Sequence, residues 1–579
     1  MTRIFADPDA FVADALRGFA RAHRDEVALV DGGVVRAVPL DPGKVAVLIG
    51  GGSGHYPAFA GYVGPGLAAG AVCGNIFTSP STAQAMRVAH AADAGGGILF
   101  TYGRYAGDIL HLGEAERRLR AEGIDARTVL ITDDVASAPP EGLDERRGIA
   151  GIVCVFHVAG AAAERGDPID EVERLATLAN SRTRSHGVAF GGCTLPGADH
   201  PLFEVPEGQM SIGLGIHGEP GVRDVPLQSA PDLAVTLAAP LLAERPADAG
   251  RAAVILNGLG SVKYEELYVL FGYVVDHLEA QGIEVVDPEC GEFVTSLDMA
   301  GISLTIMWLD DELEELWKAP ASSPAFRKGH FAARSSGAQR TRGESATTSA
   351  ARAAVVEATP ASRAAATVAR RLLRAARDTV AAHVEELGEL DAVAGDGDHG
   401  IGMLRGLTAA VEASAGADEA TGVRELLQAA GDAWSEVAGG TSGALWGAAL
   451  AQLGASLGSP DEFTASDVAD AVSAARARIA ELGGADLGDK TMLDAVAPYA
   501  ETLTDRVRAG ADLRSALTDA AAAARAAAEA TAPMTPRRGR ARPLAERSIG
   551  HPDPGATSFA LIADAVAAAA ASEDPEEAE

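Results

Sequence analysis

A chain of 579 residues is too long for a single hydrophobic core and predicts at least two domains. Hydrophobic residues make up 47% and charged residues 22%, a globular composition that excludes a disordered or fibrous chain. With 48 basic against 81 acidic residues the formal net charge is −33, so the surface repels nucleic acid and anionic membranes alike, and an anionic ligand needs local cations or metal.

The N-terminal stretch "MTRIFADPDAFVADALRGFARAH" lacks the continuous apolar core of a signal peptide. No apolar run is expected to reach the ~18 to 20 residues that span a bilayer. Four cysteines, Cys73, Cys154, Cys193 and Cys290, lie far apart without a C-x-x-C pair, which predicts reduced thiols in a cytoplasmic protein. From residue 1 to 325 short β-rich runs alternate with helical stretches. "KVAVLIGGGSG" (44–54), "GGILFTYG" (96–103), "RTVLITDD" (127–134), "GIVCVFHVAG" (151–160) and "AAVILNGLG" (252–260) each read as a buried strand running into a glycine turn. "LFEVPEGQMSIGLGIHGEPG" and "GISLTIMWLDDELEELW" add strand-like segments, so the first domain is predicted as α/β with its active loops at strand ends.

Residues 326–351 are rich in Ser, Ala, Arg, Gly and Thr without apolar periodicity and read as a flexible linker. From 352 to 573 nearly everything carries 3.6-residue spacing, as in "AATVARRLLRAARDTVAAHVEELGELD" and "LRSALTDAAAAARAAAEATA", which predicts an all-α domain whose Ala-rich helices approach closely. An acidic tail, 574–579, closes the chain. No solenoid-length repeat relates the two halves.

Between two of those helices stands "DAVAGDGDHG" (391–400). Asp391, Asp396 and Asp398 crowd together without a Lys or Arg among them, and like charges held so close call for a cation. Hard oxygen ligands in a small cluster suit Mg²⁺, which bridges to phosphate oxygens. A calcium hand starting at Asp396 would need Gly and Glu where Ile401 and Leu407 stand, so that geometry fails. The competing reading is an acidic turn that caps the next helix.

If the cation serves a nucleotide, glycine-rich loops supply backbone N–H groups. "AGGTSGALWG" (438–447) sets Thr441 and Ser442 just before a helix. "GGADLGDKTM" (483–492) puts Asp489 between the glycine and Lys490, so it is not a Walker loop. "RRGRARPLAERSIGHPDPGATS" (537–558) adds arginines and an Asp-Pro-Gly turn. In the first half, "GGGSGHYPAF" (50–59) follows a strand with His55 at its lip, "YAGDILHLGEAE" places Asp108 after another strand, and "GIHGEPG" isolates His217 between glycines. Such groups suit proton transfer and a neutral His can attack a carbonyl, although for any single histidine the plain hydrogen-bonding residue of a glycine turn is the commoner reading.

Taken together, these motifs resemble the dihydroxyacetone kinase family in a form that fuses a ketose-binding and an ATP-binding domain. "GGGSGHYPAF", "GIHGEPG" and "TSLDMAGISLT" resemble the first domain; "GDGDHG", "GGTSGALWG", "GDKTMLD" and "ERSIGHPDPGATS" resemble the second. The resemblance implies a helical barrel of about eight helices for the second domain. It implies a substrate carbonyl captured as a hemiaminal on His217, with His55 and Asp108 handling the proton of the attacking hydroxyl and Gly52 and Ser53 holding the substrate. It implies that Asp391, Asp396 and Asp398 bind two Mg²⁺ ions bridging the ATP phosphates. Nucleotide contacts carry over to His399, Gly400, Ile401, Gly402, Thr441, Ser442, Gly483, Met492, Arg540, Asp553, Pro554 and Gly555, and the family suggests a homodimer. The family's Lys-Asn-Tyr-Thr-Gly-Asp is "GRYAGD" here: Gly103 stands at the lysine position, Arg104 is expected to replace the charge, and the lost side chain is expected to free space for a four-carbon ketose. "FTYGRYAGD" is similar to the erythrulose kinases of the family. The implied activity is ATP-dependent phosphorylation of a short-chain ketose; an FMN-cyclising lyase and a ketose-binding regulator are the alternatives.

Overall fold

The structure is a computed structural model that describes residues 7–8, 10–217, 219, 221–331, 358–394, 397–418, 420–438, 440–538 and 545–571. Asp396, Arg540, most of the expected linker and the acidic tail lie outside the described residues. The chain divides into two compact units, residues 1–351 and 352–579.

In the first unit the strands are β1 (Val27–Val30), β2 (Gly33–Arg36), β3 (Ala46–Ser53), β4 (Gly70–Ile76), β5 (Ile98–Gly103), β6 (Ala126–Ile131), β7 (Thr183–Ala189), β8 (Gln209–Ile212), β9 (Arg223–Pro226), β10 (Arg251–Gly258), β11 (Glu284–Val285), β12 (Glu289–Gly291), β13 (Gly301–Leu309), β14 (Ala321–Ser322) and β15 (Arg327–Lys328). Its helices are α1 (Phe11–Ala22), α2 (Thr82–Ala92), α3 (Ala106–Ala121), α4 (Ile152–Arg165), α5 (Ile169–Ser181), α6 (Ala230–Ala243), α7 (Tyr264–Ala280) and α8 (Asp311–Trp317). One sheet runs β1-β2-β4-β3-β5-β6, parallel from β4 to β6 with an antiparallel hairpin at its edge. The other runs β11-β10-β13-β7-β8-β9, with β12 also on β10. Helices α2 and α3 cover one face of the first sheet, and α6 and α7 cover one face of the second. Helices α4, α5 and α8 share a core with residues of both sheets. That arrangement explains why β3, β5 and β13 are apolar runs rather than alternating ones: both their faces are buried.

The segment 151–160 differs from the expected strand and is the start of helix α4. Every residue from Ile152 to Ala163 is buried, and a run apolar on all sides does not reveal its period. The linker also starts later than residue 326. Phe326 belongs to the core, Arg327–Lys328 pairs with Ala321–Ser322, and the Lys328 ammonium lies 3.8 Å from the Trp317 ring centroid and 2.8 Å from Asp287.

The second unit is helical throughout its described residues: α9 (Pro360–Ala382), α10 (Val384–Ala392), α11 (His399–Gly416), α12 (Val423–Ala438), α13 (Gly440–Leu457), α14 (Ala465–Gly483), α15 (Leu493–Arg508), α16 (Leu513–Ala530), α17 (Ala545–Ser548) and α18 (Pro554–Ala571). Helices α9, α11, α12, α13, α14, α15, α16 and α18 each pack on the next, and α18 packs back on α9, which closes a barrel. Helix α18 is long and apolar enough to cross a membrane, against the expectation that no such run exists. Its Ala560, Ile562, Ala563 and Ala567 are buried in the unit's cores, between α9 and α16.

Close helix approach, expected from the alanine content, is most pronounced between the antiparallel α12 and α13. A Cβ on Gly431 would lie 2.5 Å from the Gly447 carbonyl oxygen, and one on Gly447 would lie 2.6 Å from that of Gly431. Beside this contact Trp434 and Trp446 stack at 5.0 Å. Gly431→Ala must push the two backbones apart, so it is expected to destabilise the second unit by about 1–3 kcal/mol. Hydrogen exchange should quicken in α12 and α13 and stay unchanged in the first unit.

Candidate active site

His55 follows β3, where the strand ends in a run of glycines. Close passage of the backbone sets this corner: a Cβ on Gly52 would lie 2.7 Å from the Thr78 nitrogen. The Ser53 hydroxyl donates to the Gly74 carbonyl at 2.7 Å, so its proton ties β3 to β4. The His55 ring is 1% exposed, and its Nδ1–H donates to the Thr295 carbonyl at 2.8 Å. That bond fixes the tautomer and leaves Nε2 a lone-pair acceptor without a protein partner. Burial, reinforced by the neighbouring His217, pulls His55 down to about 3, so the ring is neutral.

Asp108 sits in the first turn of α3, immediately beyond β5, and is 6% exposed. Burial pushes its carboxyl up to about 7, against the opposing pull of a Ser79 hydrogen bond and of His217. Its Oδ1 has no partner. The His217 imidazole stands edge-on to His55 with ring centroids 4.6 Å apart, edge-on to Tyr105 at 4.6 Å and to Phe77 at 5.4 Å. Three residues predicted from separate loops are thus brought into one group, with His55 and Asp108 buried and the His217 side chain 20% exposed. Two of them carry buried polar atoms that no protein group satisfies, which a water or a polar ligand can partner.

Arg104 does not take the expected part. Its guanidinium contacts the Glu145 carbonyl at 3.5 Å, and the cation beside His217's loop is Arg147 instead, 3.7 Å from Glu219. At Gly103 a Cβ would lie 3.0 Å from the Tyr105 ring and 3.1 Å from the Gly148 carbonyl, so the backbone is closely packed at this position.

In the second unit the predicted nucleotide residues that are described gather at one rim of the barrel. His399 opens α11 and bonds Ser558 of α18 through Nε2 at 3.0 Å, while the Ser558 hydroxyl donates to the Gly555 carbonyl at 3.1 Å. Burial lowers the His399 pKa. A Cβ on Gly555 would lie 3.2 Å from the Cβ of Met492, which caps α15. Gly483, ending α14, faces Leu445 of α13, whose first turn carries the exposed Thr441 and Ser442. Gly400 is buried and Ile401 is half exposed on α11, with Gly402 in the same turns. The rim therefore collects the N-termini of α11, α15 and α18 directly and that of α13 through Gly483. The first-turn N–H groups of α15 are held by Thr491 and Met492 and those of α18 by Asp553, so what these N-termini offer a ligand is the positive end of the helix dipole.

Asp553 heads α18, with its Oδ1 accepting from the Ala556 N–H at 2.8 Å. Burial, with Asp494 adding to it, pushes Asp553 up to about 7 against the pull of a backbone hydrogen bond and of Lys490. Asp391 ends α10 and accepts the Gly397 N–H at 2.9 Å. Asp398 stands at the N-cap of α11 without a side-chain capping bond, so the plain capping reading of this acid is not realised. Among the described residues no group of three His, Cys, Asp or Glu is set to hold a metal, since Asp396, the third member of the expected cluster, lies outside them.

Two features escape sequence reasoning. Glu219 lies two residues after His217 and accepts both its backbone N–H, at 2.9 Å, and its Nδ1–H, at 3.3 Å. An acid that close to a candidate nucleophile was the available signal. Lys490, outside any phosphate loop, is 3% exposed and takes φ +60°. It donates to the carbonyls of Ser548 at 2.7 Å, Met534 at 3.2 Å and Ala532 at 3.4 Å.

The chain matches the Dak1 domain over residues 17–325 and the DAK2 domain over residues 393–568. It is 52% identical to the L-erythrulose kinase of Pectobacterium atrosepticum, over 98% of this chain and 96% of that one. It is 53% identical to the D-erythrulose kinase of Mycolicibacterium smegmatis, over 98% of both. A crystal structure of the dihydroxyacetone kinase from C. freundii in complex with AMP-PNP and Mg2+ matches with a TM-score of 0.53 and 28% identity, over 98% of this chain and 99% of that one. The chain belongs to the dihydroxyacetone kinase family.

Lys490→Met removes an ammonium that satisfies three carbonyls. It is expected to cost the second unit about 2–3 kcal/mol and to quicken hydrogen exchange at residues 532–534 and 548–550, with no change around His217.

Proposed function

We propose that the chain is an ATP-dependent kinase that phosphorylates a primary hydroxyl of a short-chain ketose, erythrulose ahead of dihydroxyacetone, while the sugar's carbonyl carbon is bonded to His217. The observation that carries this reading is the pairing of His217 with two buried, unpartnered polar atoms, His55 Nε2 and Asp108 Oδ1. Erythrulose is favoured because relatives sharing about half of all residues over the full length are named for it.

With its Nδ1–H directed at Glu219, His217 keeps the Nε2 lone pair available for the carbonyl carbon. Glycerol and other polyols have no carbonyl and are refused on chemical grounds. His55, held neutral, accepts a hydrogen bond from the new hemiaminal hydroxyl through Nε2. Asp108 is the general base for the hydroxyl that attacks phosphorus. A carboxyl moved to about 7 is a far better proton acceptor than an ordinary one, yet is still largely ionised just above neutrality.

In the second unit the helix N-termini at the rim cradle the nucleotide phosphates, with His399, Gly400, Ile401, Gly402, Thr441, Ser442, Gly483, Met492, Arg540 and Asp553–Gly555 around it. Asp391, Asp396 and Asp398 form the hard-oxygen donor set for Mg²⁺, two ions on the family pattern. Mg²⁺ bound there supplies positive charge that offsets the phosphates. A homodimer accompanies this reading, and sedimentation at twice the chain mass checks it.

Coupled ADP release is expected with erythrulose and more weakly with dihydroxyacetone, and not with glycerol or erythritol; no ADP with any ketose would remove the reading. An arm with each erythrulose enantiomer assigns the stereochemistry. Asp108→Asn should lower kcat by about 10²–10⁴. Since the base works only when deprotonated, wild-type kcat should rise with pH through about 7 and the variant should lack that limb. Changing Asp391, Asp396 and Asp398 together to Asn should abolish the magnesium dependence of ATP binding in calorimetry while leaving ketose binding intact.

A further inference from the structure

Packing explains the plane of the His217 ring but not its proton. His55, Phe77 and Tyr105 meet the imidazole edge-on, and contacts of that kind are indifferent to which nitrogen carries hydrogen. The choice of tautomer needs a charge or an acceptor at one nitrogen, and Glu219 supplies both. A carboxylate can only accept, so its 3.3 Å contact places the proton on Nδ1 and bares Nε2. Its other oxygen accepts the backbone N–H of the same histidine, which ties the carboxylate to the residue it orients.

Glu219 is itself held. Its Oε1 lies 3.7 Å from the Arg147 guanidinium, and Arg147 donates through Nε and Nη2 to Asp134 Oδ2 at 3.1 and 2.7 Å. Asp134 is 1% exposed and also accepts the Ala136 N–H, so the far end of the chain is anchored in the core. The backbone closes the remaining side: a Cβ on Gly215 would lie 2.1 Å from Glu219 Oε2 and 2.7 Å from Arg147 Nη1. Burial alone would raise the Glu219 carboxyl, but the His217 hydrogen bond, a positive His217 ring such as the adduct carries, and the Arg147 charge outweigh it and hold the group at about 2.

We propose that Glu219 is the positioning residue of the capture step: it fixes His217 in the Nδ1–H tautomer and balances the charge of the adduct, with Arg147 and Asp134 holding it in place. This rests on the reading of His217 as the carbonyl-capturing nucleophile. The Nε2 pair forms the N–C bond as the carbonyl π pair moves to oxygen, which takes a proton from solvent. The ring, still carrying its Nδ1 proton, is then an imidazolium next to a neutral His55, and the Glu219 carboxylate is its counter-ion. Phosphorylation leaves the N–C bond untouched, and its reversal releases product and returns the neutral ring with Nε2 bare.

The test uses full-length protein labelled with ¹⁵N-histidine, in wild type and in Glu219→Gln, Glu219→Leu and Glu219→Asp. The His217 resonance is assigned by its loss in His217→Ala. Wild type should show Nδ1 protonated and Nε2 bare, and Glu219→Leu should lose that preference. In Glu219→Leu and Glu219→Gln, kcat/KM for erythrulose should fall by at least about 10²-fold, with the KM for ATP within about twofold of wild type. Glu219→Asp, which keeps the charge, should recover part of the loss. A folded Glu219→Leu or Glu219→Gln protein that keeps both the tautomer and kcat/KM within about twofold overturns the proposal. Wild-type inactivity toward every ketose overturns the kinase reading instead, and the nitrogen resonances still decide the tautomer question.

Discussion

Desolvation is the physical constraint on which the first unit's chemistry depends. His55 and Asp108, both buried, and Glu219, with 29% of its side chain exposed, answer desolvation in three ways. The histidine loses its proton affinity and falls to about 3, while the aspartate gains it and rises to about 7. The glutamate escapes the rise because His217 and Arg147 stabilise its charge more than burial penalises it. A neutral acceptor, a poised base and a fixed anion thus surround one imidazole. What separates their roles is which of the three has an opposite charge within reach, not the residue type alone. Asp134 and Arg147 stand outside the chemistry on this view, yet without them the anion beside His217 would be an expensive buried charge.

The second unit uses the opposite principle. Its rim gathers helix N-termini and acids rather than dry neutral groups, and the barrel makes this possible. A closed ring of packed helices brings the N-termini of α11, α15 and α18 into direct contact, through His399 with Ser558 and Gly555 with Met492. Positive dipole ends collected this way suit phosphate, while the acids among them suit a divalent cation bound to it. Small residues make the ring tight: where Gly431 meets Gly447, one backbone lies against the other with no side chain between them.

Much of this was legible in the sequence, and the failures have physical causes. Strands such as β3 and β5 announce themselves because β-branched runs end in glycine, and the α9–α18 region because its periodicity is helical. Helix α4 was misread since burial on every side erases the polar stripe that marks a helix. The first-unit candidate residues come from separate loops, and only the fold brings His55, Asp108 and His217 together. A side chain at position 104 points differently from one at 103, and the structure accords with that: the Arg104 guanidinium contacts the Glu145 carbonyl, and Arg147, from another loop, lies beside Glu219. Lys490 was weighed only as a failed phosphate ligand. Its positive φ and three carbonyl partners belong to long-range packing against Ala532, Met534 and Ser548, which no local pattern encodes.

The imidazole pair also limits what capture can look like. A short ketose has too few atoms for noncovalent contacts alone to bind it tightly in competition with water. A bond to carbon overcomes that and reads the carbonyl directly, but it needs an unprotonated nucleophile and leaves a cation behind. With ring centroids 4.6 Å apart in a dry setting, His55 and a bonded His217 could not both be charged without several kcal/mol of repulsion. Committing the His55 Nδ1 proton to the Thr295 carbonyl and burying the rest of the ring keep the first imidazole neutral before the second becomes charged. On the proposed capture by His217, the seat of His55 prepares the neighbouring ring: its neutrality permits the cation there, and its bare Nε2 is placed to receive the hydroxyl that the same bond-forming event would create.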